Sequence, residues 1–394
     1  MHPNVPHLRF PEFHGEWEKH RLSEYLDFKN GLNPDSKRFG KGIKFISVMD
    51  ILNNPVITYD CIRASVQATD AEISSFSVEN GDILFQRSSE TLEDVGRANV
   101  YIDDKVAVFG GFVIRGKKKA NYNPLFFRYL LSSPYARKRI IPMGAGAQHF
   151  NIGQEGLSKV LLNFPSIEEQ TKIASLLHLL DERIATQSKL IEKLESLIKG
   201  ISNKLFNSKE GMPVRLGAVL KERSEKTKVN NQYTVLSSTV NGLFSQREYF
   251  SKDIASENNV GYKIIRLHEV VLSPQNLWMG NINYNDKFDI GIVSPSYKIF
   301  FISNNFDKRY VAAMLKTHRA LYGYKLISEQ GASVVRRNLN LEAFEQLIFK
   351  IPTIDKQQEI GKTISLLNSR LETERTLKAT YQSQKQYLLR QMFI

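Results

Sequence analysis

The most regular feature of the chain is the spacing of apolar residues in the segment 165–206. Apolar side chains recur there at alternating steps of four and three residues over more than four heptads, with one polar interruption. This spacing predicts a long helix whose apolar stripe forms the seam of a coiled coil. The seam positions are Ile173, Leu177, Leu180, Ile184, Gln187, Ile191 and Leu194, followed by Ile198, Ile201 and Leu205.

The segment has a second copy near the end of the chain. A shift of 187 residues aligns 165–206 with 352–393 without a gap, and eleven of 42 positions are identical. We interpret 165–206 and 352–394 as long antiparallel coiled-coil helices; the alternative is two ordinary amphipathic helices, each packed on its own domain. The copy keeps apolar residues at Ile360, Ile364, Leu367 and Leu371, but has Glu374, Lys378 and Lys385 on the same stripe.

Strand-like patterns occupy the regions before each long segment. Because two loosely corresponding units of about 190 residues follow each other, the chain is a duplicated module and not a stacked array. We predict an α/β (α+β) fold with two β-rich domains, 1–160 and 211–350, which the two helices join and separate in a pseudo-two-fold internal repeat. The predicted strands are 42–48, 82–86, 106–114, 233–238, 269–274 and 297–302, and the predicted short helices are Pro124–Leu131 and Lys308–Leu321.

Composition narrows the class of protein. With 394 residues, 42% of them hydrophobic and 24% charged, the chain is expected to fold as a multidomain globular protein. The net charge of +13 favours a polyanionic partner. The single cysteine, Cys61, excludes an intramolecular disulfide, and the scattered histidines show no metal-ligand spacing. No apolar run is long enough to cross a bilayer and the start lacks a signal-peptide pattern, so we expect a cytoplasmic location and no membrane contact.

Three fragments resemble catalytic motifs, but none of them supports a catalytic role. Residues 361–363 (GKT) lack the glycine that a phosphate-binding loop needs five residues before the second glycine. Residues 123–126 (NPLF) lack the second proline of the adenine-methyltransferase pattern and have no accompanying glycine-rich cofactor loop. Residues 103–105 (DDK) fit a turn better than a nuclease carboxylate cluster. We therefore predict that the chain has no active site of its own.

The whole pattern resembles the specificity subunit of type I restriction-modification enzymes. The resemblance covers nearly the whole chain, and each long helix opens with the sequence Pro-x-Ile-x-x-Gln. It is weaker in the second domain, where SPQNL (273–277) and ASVVRRNLN (332–340) replace the first-domain sequences. The segments that carry it best are 144–184, GDILFQRS (81–88), VGR (95–97) and LRFPEFHGEWEKHRL (8–22).

The resemblance implies a division of labour. Each domain would be a target-recognition domain that contacts one half of a bipartite site in double-stranded DNA, and the helices would be a spacer between the half-sites. The helices would also dock two modification (methyltransferase) subunits, and restriction/translocase subunits would join the assembly. S-adenosylmethionine, Mg²⁺ and ATP would be bound by those partner subunits, with no cofactor and no metal on this chain. The bases recognised and the spacer length do not follow from the sequence.

Candidate DNA-binding residues follow from the groups that contact DNA. Arginine suits guanine, Asn and Gln suit adenine, and Lys and Arg hold phosphates. The first domain offers Gln86, Arg87, Ser88 and Ser89 after a strand, Arg97 after a glycine, Lys118 for phosphate, and Gln148, His149 and Asn151 on a glycine-containing loop. The second domain offers Gln275, Asn276, Asn281, Arg336 and Arg337.

Two other classes of protein remain as alternatives. A free-standing coiled-coil DNA-binding protein without a methyltransferase partner would share the charge and the helices, but usually shows a recognition-helix motif. A methyltransferase acting alone would need the cofactor loop and the intact Asn-Pro-Pro-aromatic element that the chain lacks.

Overall fold

The computed structural model describes residues 4–206, 210–249, 258–330 and 337–394. The chain forms two compact units, one built from residues 1–188 and 376–394 and the other from residues 189–375. The sequence-based boundaries treat each long helix as a separate segment. The contacts instead divide both helices between the two units.

The first unit is an α+β structure with two four-stranded sheets. The sheets have the strand orders β2-β10-β6-β8 and β4-β3-β9-β5, and the pairs β1-β12 and β7-β11 lie outside them. Its helices are α1 (Leu22–Tyr25), α2 (Val48–Asn53), α3 (Asp70–Phe76), α4 (Pro124–Ser132), α5 (Pro134–Ile140), α6 (Gln154–Lys159) and the start of α7 (Ile167–Phe206). Its strands are β1 (Glu18–Arg21), β2 (Leu26–Asn30), β3 (Phe39–Ile46), β4 (Ser65–Val66), β5 (Ser77–Val78), β6 (Ile83–Gln86), β7 (Ser88–Ser89), β8 (Ala98–Val100), β9 (Ala107–Phe109), β10 (Val113–Lys118), β11 (Phe150–Asn151) and β12 (Leu161–Phe164).

The second unit repeats the central sheet as β14-β21-β18-β19, with the pairs β13-β24, β15-β16, β17-β20 and β22-β23. Its helices are α8 (Leu216–Val219), α9 (Gln246–Tyr249), α10 (Lys308–Met314), α11 (His318–Leu326), α12 (Leu341–Gln346) and most of α13 (Ile354–Gln391). Its strands are β13 (Met212–Arg215), β14 (Leu220–Arg223), β15 (Leu236–Thr239), β16 (Gly242–Ser245), β17 (Lys263–Arg266), β18 (Glu269–Leu272), β19 (Ile282–Tyr284), β20 (Ile290–Val293), β21 (Lys298–Ile302), β22 (Ser328–Gln330), β23 (Arg337–Leu339) and β24 (Ile348–Ile351).

The internal repeat is confirmed by matching hydrogen bonds. In the first unit the Gln170 amide donates to the Pro165 carbonyl (3.0 Å), and its oxygen accepts the backbone N–H of Asn123 (3.1 Å), the N-cap of α4. Gln357 makes the same two bonds in the second unit, to Pro352 (2.9 Å) and to the N-cap of α10 (3.0 Å). The shared Pro-x-Ile-x-x-Gln sequence therefore fixes each long helix to the short helix of its own unit.

Two predicted elements are each divided in the structure. The run 106–114 forms two strands of different sheets, β9 and β10, because the chain reverses at Gly110 and Gly111. The helix predicted at Lys308–Leu321 is two helices, α10 and α11, since the Thr317 side chain accepts the Ala320 N–H and starts a new helix. Both corrections concern a local reversal inside a continuous apolar pattern.

The seam of the long helices is confirmed. Ile173, Leu177 and Leu180 belong to the core of the first unit, and so do Leu388 from the last turn of α13 and Met392 directly after it. Gln187 is 7% exposed and Glu374 is 3% exposed, so these two polar seam positions are also buried, whereas Lys378 and Lys385 are half-buried. Among the apolar seam residues, Ile191, Ile360, Ile364 and Leu371 are buried, and Ile184, Leu194, Ile198, Ile201, Leu205 and Leu367 are half-buried.

The pairing is antiparallel in each unit. Lys385 contacts Asp181 in the first unit, and Arg375 contacts Glu195 at 2.6 Å in the second, so residue numbers rise on one helix as they fall on the other. The alternative of two helices packed only on their own domains is wrong, because the C-terminal end of α13 lies in the core of the first unit.

Among the described residues, no helix combines the length and the apolar character that crossing a bilayer would require.

Candidate DNA-recognition site

Two sequence segments that were predicted to contact DNA meet at one end of the central sheet of the first unit. The buried strand β6 ends at Gln86, and the chain continues into β7, which pairs with β11 in the register Ser88↔Asn151 and Ser89↔Phe150. The Ile152 N–H donates to the Arg87 carbonyl at 3.0 Å, and the Ser88 hydroxyl contacts the Asn151 side chain. The structure thus brings Arg87, Ser88, Ser89 and Asn151 into one polar surface.

Arg87 is held by the turn between β9 and β10. Its N–H donates to the Phe112 carbonyl at 2.9 Å, and its Nη1 donates to the Gly111 carbonyl at 3.2 Å. The side chain is half-buried, and this bond uses one of the five N–H donors that a guanidinium carries. A guanidinium oriented in this way keeps donors in a fixed plane for a bidentate contact with a base or phosphate.

Gln86 does not lie on this surface. It is 6% exposed, and its amide donates to the Ser88 carbonyl at 2.9 Å. Its Oε1 is buried and has no hydrogen-bond partner in the described part of the chain. We therefore assign Gln86 to positioning the loop from below and remove it from the candidate base contacts.

Gln148 and His149 lie on a tight loop that β11 closes. Ala145 and Asn151 exchange backbone hydrogen bonds of 2.9 and 2.8 Å, and the Asn151 amide donates to the His149 carbonyl at 3.3 Å. Gly146 has a φ of +143°, and a Cβ there would lie 2.0 Å from the His149 carbonyl oxygen. The glycine therefore permits the loop that exposes both Gln148 and His149 beside the polar surface.

Arg97 is exposed on the neighbouring strand end. The Gln86 N–H donates to its carbonyl at 2.7 Å, and its guanidinium pairs with Asp94 at 2.6 Å. Arg137 supports this loop from beneath, because its Nη2 donates to the Glu93 and Val95 carbonyls at 2.8 and 2.6 Å. Burial, together with the neighbouring charge of Arg97, lowers the pKa of Arg137 to about 10.

Lys118 lies away from this group. Strand β10 pairs with Gln86 at Val113, and Lys118 is five residues further along, about 17 Å at ~3.3 Å per residue. Its Nζ donates to the Tyr122 carbonyl at 3.2 Å and lies 4.9 Å from the centroid of that ring. Its role as a phosphate contact remains a prediction, separate from the loop surface.

The second unit builds the same junction with different side chains. The Arg337 N–H donates to the Gln275 carbonyl at 3.1 Å, and β23 pairs with β22 through Arg337 and Gln330. The Arg337 guanidinium lies 4.5 Å from the centroid of the Trp278 ring. Gln275 is exposed and Asn276 is half-buried beside it, while Arg336 lies outside the described residues.

Asn281 is a correction to the predicted set. It is 4% exposed, its Oδ1 accepts the Ser238 hydroxyl at 2.7 Å, and its amide donates to the Ser238 carbonyl at 2.9 Å. A side chain that is 4% exposed and bonded inside the fold at both its amide and its oxygen is not accessible to a base edge, unlike the exposed Asn151. Asn281 therefore stabilises the loop after β18 and is not a candidate base contact.

Sequence reasoning missed two aromatic residues at these junctions, Trp278 and Phe112. Trp278 follows Gln275 and Asn276 by only a few positions, so an aromatic residue in a strand-end loop was the available signal. Phe112 was hidden because the run 106–114 has the pattern of one buried strand.

Residues 14–196 match the family model described as the type I restriction modification DNA specificity domain. The matched range includes the first-unit surface from Arg87 to Asn151. A curated relative, the type I restriction enzyme MjaX specificity subunit of Methanocaldococcus jannaschii, is 26% identical over 208 residues. That alignment covers 52% of this chain and 48% of the relative, so it spans about half the length of that protein.

Solved structures share the fold along almost the full chain. The S subunit of a type I restriction-modification system from M. genitalium has a TM-score of 0.63 and 15% identity, with 99% of each chain covered. A chain from a study of assembly and conformational transition in a type I R-M system has a TM-score of 0.50 and 13% identity, with 95% and 96% covered. Residues 14–196 are therefore similar to the type I restriction modification DNA specificity domain, and the fold of the solved S subunit is shared along almost the whole chain.

Proposed function

We propose that the chain is the non-catalytic DNA sequence-specificity subunit of a type I restriction-modification enzyme. The observation that carries the proposal is the recurrence of one junction in both units. In the first unit the segment after the buried strand β6 pairs with β11 through β7, and in the second unit the segment after the buried strand β18 is bonded to β23, where the Arg337 N–H donates to the Gln275 carbonyl at 3.1 Å. Two such surfaces on one chain suit a bipartite DNA site, with one half-site for each unit.

The first-unit surface has the chemistry of base recognition. Arg87 offers a planar set of donors for guanine, while Ser88, Asn151, Gln148 and His149 offer short hydrogen-bonding groups for other base edges. In the second unit Arg337, stacked on Trp278, and Gln275 take the corresponding places. Different side chains on one backbone junction imply that the two half-sites differ in sequence.

Partner docking is supported by an exposed stripe that the two long helices share. Leu179, Arg183 and Thr186 in the first unit have identical counterparts in Leu366, Arg370 and Thr373 in the second, and Leu190 and Leu377 continue the identity in the sequence. Leu179 is 58% exposed and Leu366 is 61% exposed. In contrast, only two of the ten seam positions are identical between the copies.

An exposed leucine that is the same in both copies is not explained by packing within the chain. Neighbouring exposed positions have diverged, as in Ala185 against Glu372 and Lys189 against Thr376. We infer that each stripe docks one copy of the same partner, the modification subunit. Self-association is a poor alternative, because two equivalent stripes per chain would propagate into open assemblies and not a closed dimer. S-adenosylmethionine, Mg²⁺ and ATP would then be bound by the modification and restriction subunits.

The docking proposal is tested by measuring the mass of the complex with the modification subunit from the same cell. We expect the wild-type chain to bind two modification subunits. Each single variant, Leu179→Asp or Leu366→Asp, should bind one, and the double variant should bind none. Tyr387→Asp is the matched control, because Tyr387 is 56% exposed on α13 but its repeat counterpart is Gly200. Full assembly by the double variant would refute the docking surface, and a chain that binds DNA without capturing any modification subunit would favour the free-standing DNA-binding alternative.

A further inference from the structure

The turn between β9 and β10 exposes a large aromatic side chain beside the recognition surface. Gly110 and Val113 close this turn, because the Val113 N–H donates to the Gly110 carbonyl at 2.8 Å, and Gly111 and Phe112 are its central residues. Phe112 is 69% exposed. Turn positions usually carry Gly, Asn, Asp or Pro, so a phenylalanine here is not a requirement of the turn itself.

The turn is held rigidly against the sheet. The Leu32 N–H donates to the Phe109 carbonyl at 2.9 Å, and the Gly31 N–H donates to the Val113 carbonyl at 3.2 Å. A Cβ on Gly111 would lie 1.8 Å from the Asn33 Oδ1 atom, so the backbone is packed closely at this point. Phe112 is therefore presented on a fixed support and not on a long flexible loop.

Exposure alone assigns no function, because folded proteins expose many apolar side chains. What distinguishes Phe112 is its position next to Arg87, whose N–H donates to the Phe112 carbonyl at 2.9 Å and whose guanidinium bonds to Gly111 at 3.2 Å. Any duplex that Arg87 contacts would lie within reach of an exposed aromatic ring. The chemical group in the major groove that favours an apolar side chain is the C5 methyl of thymine.

The matching turn of the second unit lacks this feature. It runs from Ser294 to Tyr297, closed by the Tyr297 N–H on the Ser294 carbonyl at 3.1 Å, and its central residues are Pro295 and Ser296. Both are exposed. The same point of the repeated fold thus carries an aromatic ring in one unit and a hydroxyl in the other, which is the variation expected of a position that sets specificity.

We propose that Phe112 is a specificity-determining residue that contacts the C5 methyl of a thymine next to the base contacted by Arg87. The proposal rests on the proposed function, since it needs the first unit to bind one half-site. It adds a recognition element to that half-site that hydrogen bonding does not supply. The second unit, with Ser296 at this position, makes no equivalent methyl contact.

The experiment replaces thymine by deoxyuridine, which removes only the methyl group. After the methylated motif has been determined, each thymine of the first half-site, on either strand, is replaced singly, and the affinity of the complete complex is measured. We expect one replacement to weaken binding about three- to fivefold, as burial of one methyl group predicts. The Phe112→Ser variant should bind the thymine and deoxyuridine forms of that site with equal affinity. The Phe112→Leu variant should retain part of the preference for thymine.

Val106→Ser is the matched control, because Val106 is 43% exposed and lies directly before β9, at the end away from the turn. It should keep the full thymine preference, and thermal unfolding checks that each variant is folded. The proposal is overturned if no thymine of the first half-site responds to loss of its methyl group, or if Phe112→Ser keeps the wild-type preference. Absence of any sequence-specific binding by the wild-type complex would instead refute the proposed function.

Discussion

Arg87 is held by two hydrogen bonds to backbone carbonyls of the turn between β9 and β10. Because its position is fixed in this way, substitution of this one arginine tests a defined contact. Its contacts with Gly111 and Phe112 fix where the guanidinium plane lies, whereas Lys118 carries a point charge about 17 Å along the same sheet. A planar donor set distinguishes bases, but a flexible ammonium group chiefly attracts phosphate.

Substitution of Arg87 should therefore change specificity. We expect Arg87→Ala to weaken binding to one half-site by ~1 to 3 kcal/mol and to leave the other half-site unchanged. Arg87→Lys should lose the same discrimination while keeping the salt dependence, because the charge remains. Competition binding with half-site variants measures both, and an unchanged preference in the two variants would show that Arg87 contacts no base.

Lys118→Ala is the contrasting variant. It should weaken all sequences about equally and reduce the slope of affinity against salt by about one unit, as expected for the loss of one phosphate contact. If Lys118→Ala leaves both affinity and salt slope unchanged, the contacts of its Nζ with Tyr122 are its whole role.

At the residue scale, the sequence predicts which types of side chain could contact DNA better than it predicts whether those side chains are exposed. Arg87, Ser88 and Asn151 were predicted as DNA contacts from their positions after a strand and on a glycine-containing loop; the structure brings them together, and their contact with DNA stays a prediction. Gln86 and Asn281 follow the same pattern but are buried, because β6 is buried at every position through Gln86 and Asn281 is bonded to Ser238 inside the fold, which the local sequence does not reveal.

Asp181 connects three helices of the first unit, α4, α7 and α13. The Tyr129 hydroxyl donates to it at 2.8 Å, the Arg128 guanidinium lies 3.2 Å away, and Lys385 contacts it from α13. Its side chain is only 16% exposed. The helices α4, α7 and α13 are thus joined by a carboxylate that two cations neutralise.

Removing this charge should destabilise the unit. We expect Asp181→Asn to lower the free energy of unfolding by about 2 to 4 kcal/mol, because two partly buried cations lose their counter-charge. Glu195→Gln is the matched control, since its ion pair with Arg375 is 46% and 47% exposed on the two sides and contributes about 0.5 kcal/mol or less. Urea denaturation of both variants makes the comparison, and equal losses would contradict the account.

The same carboxylate predicts a pH dependence. Burial raises the pKa of Asp181, but the hydrogen bond and charge of Lys385 and the charge of Arg128 lower it by more, so the net shift is downward. Its stabilising contribution is complete above the unfolded pKa of about 3.9 and is lost as the pH falls through the lower folded pKa. Between about pH 5 and pH 2, wild-type stability should decrease more steeply than that of Asp181→Asn; parallel curves would contradict this.

Long helices were predictable because a heptad pattern extends over many turns, so one misplaced residue does not hide it. Short elements were less predictable from the sequence. The reversal at Gly110 and Gly111 divides an apolar run that has the pattern of a single strand, and Thr317 starts a new helix inside a continuous helical pattern. The decisive groups there are one or two residues whose effect depends on tertiary contacts, such as the fit of Gly111 against Asn33.

At the scale of the whole chain, the internal repeat explains the organisation, because both copies are built in the same way. The equivalent bonds of Gln170 and Gln357 show that each copy attaches its long helix in the same way, and each unit also contains part of the other copy's helix. The +13 net charge adds a general attraction for DNA, although Lys117 and Lys119 are paired with Glu79 and Asp27 at 3.0 and 3.1 Å. In the proposed function, the net charge would support DNA binding in general and the loop surfaces would supply its specificity.

The most direct test of the account is the pattern of adenine methylation in cells that produce the modification subunit with or without this chain. We predict methylation at one bipartite motif when both proteins are present, and loss of that motif when the chain is omitted. Exchange of residues 81–151 for those of a related chain should change one half of the motif and keep the other. Methylation of the same motif without the chain would contradict the claim that this protein selects the DNA sequence.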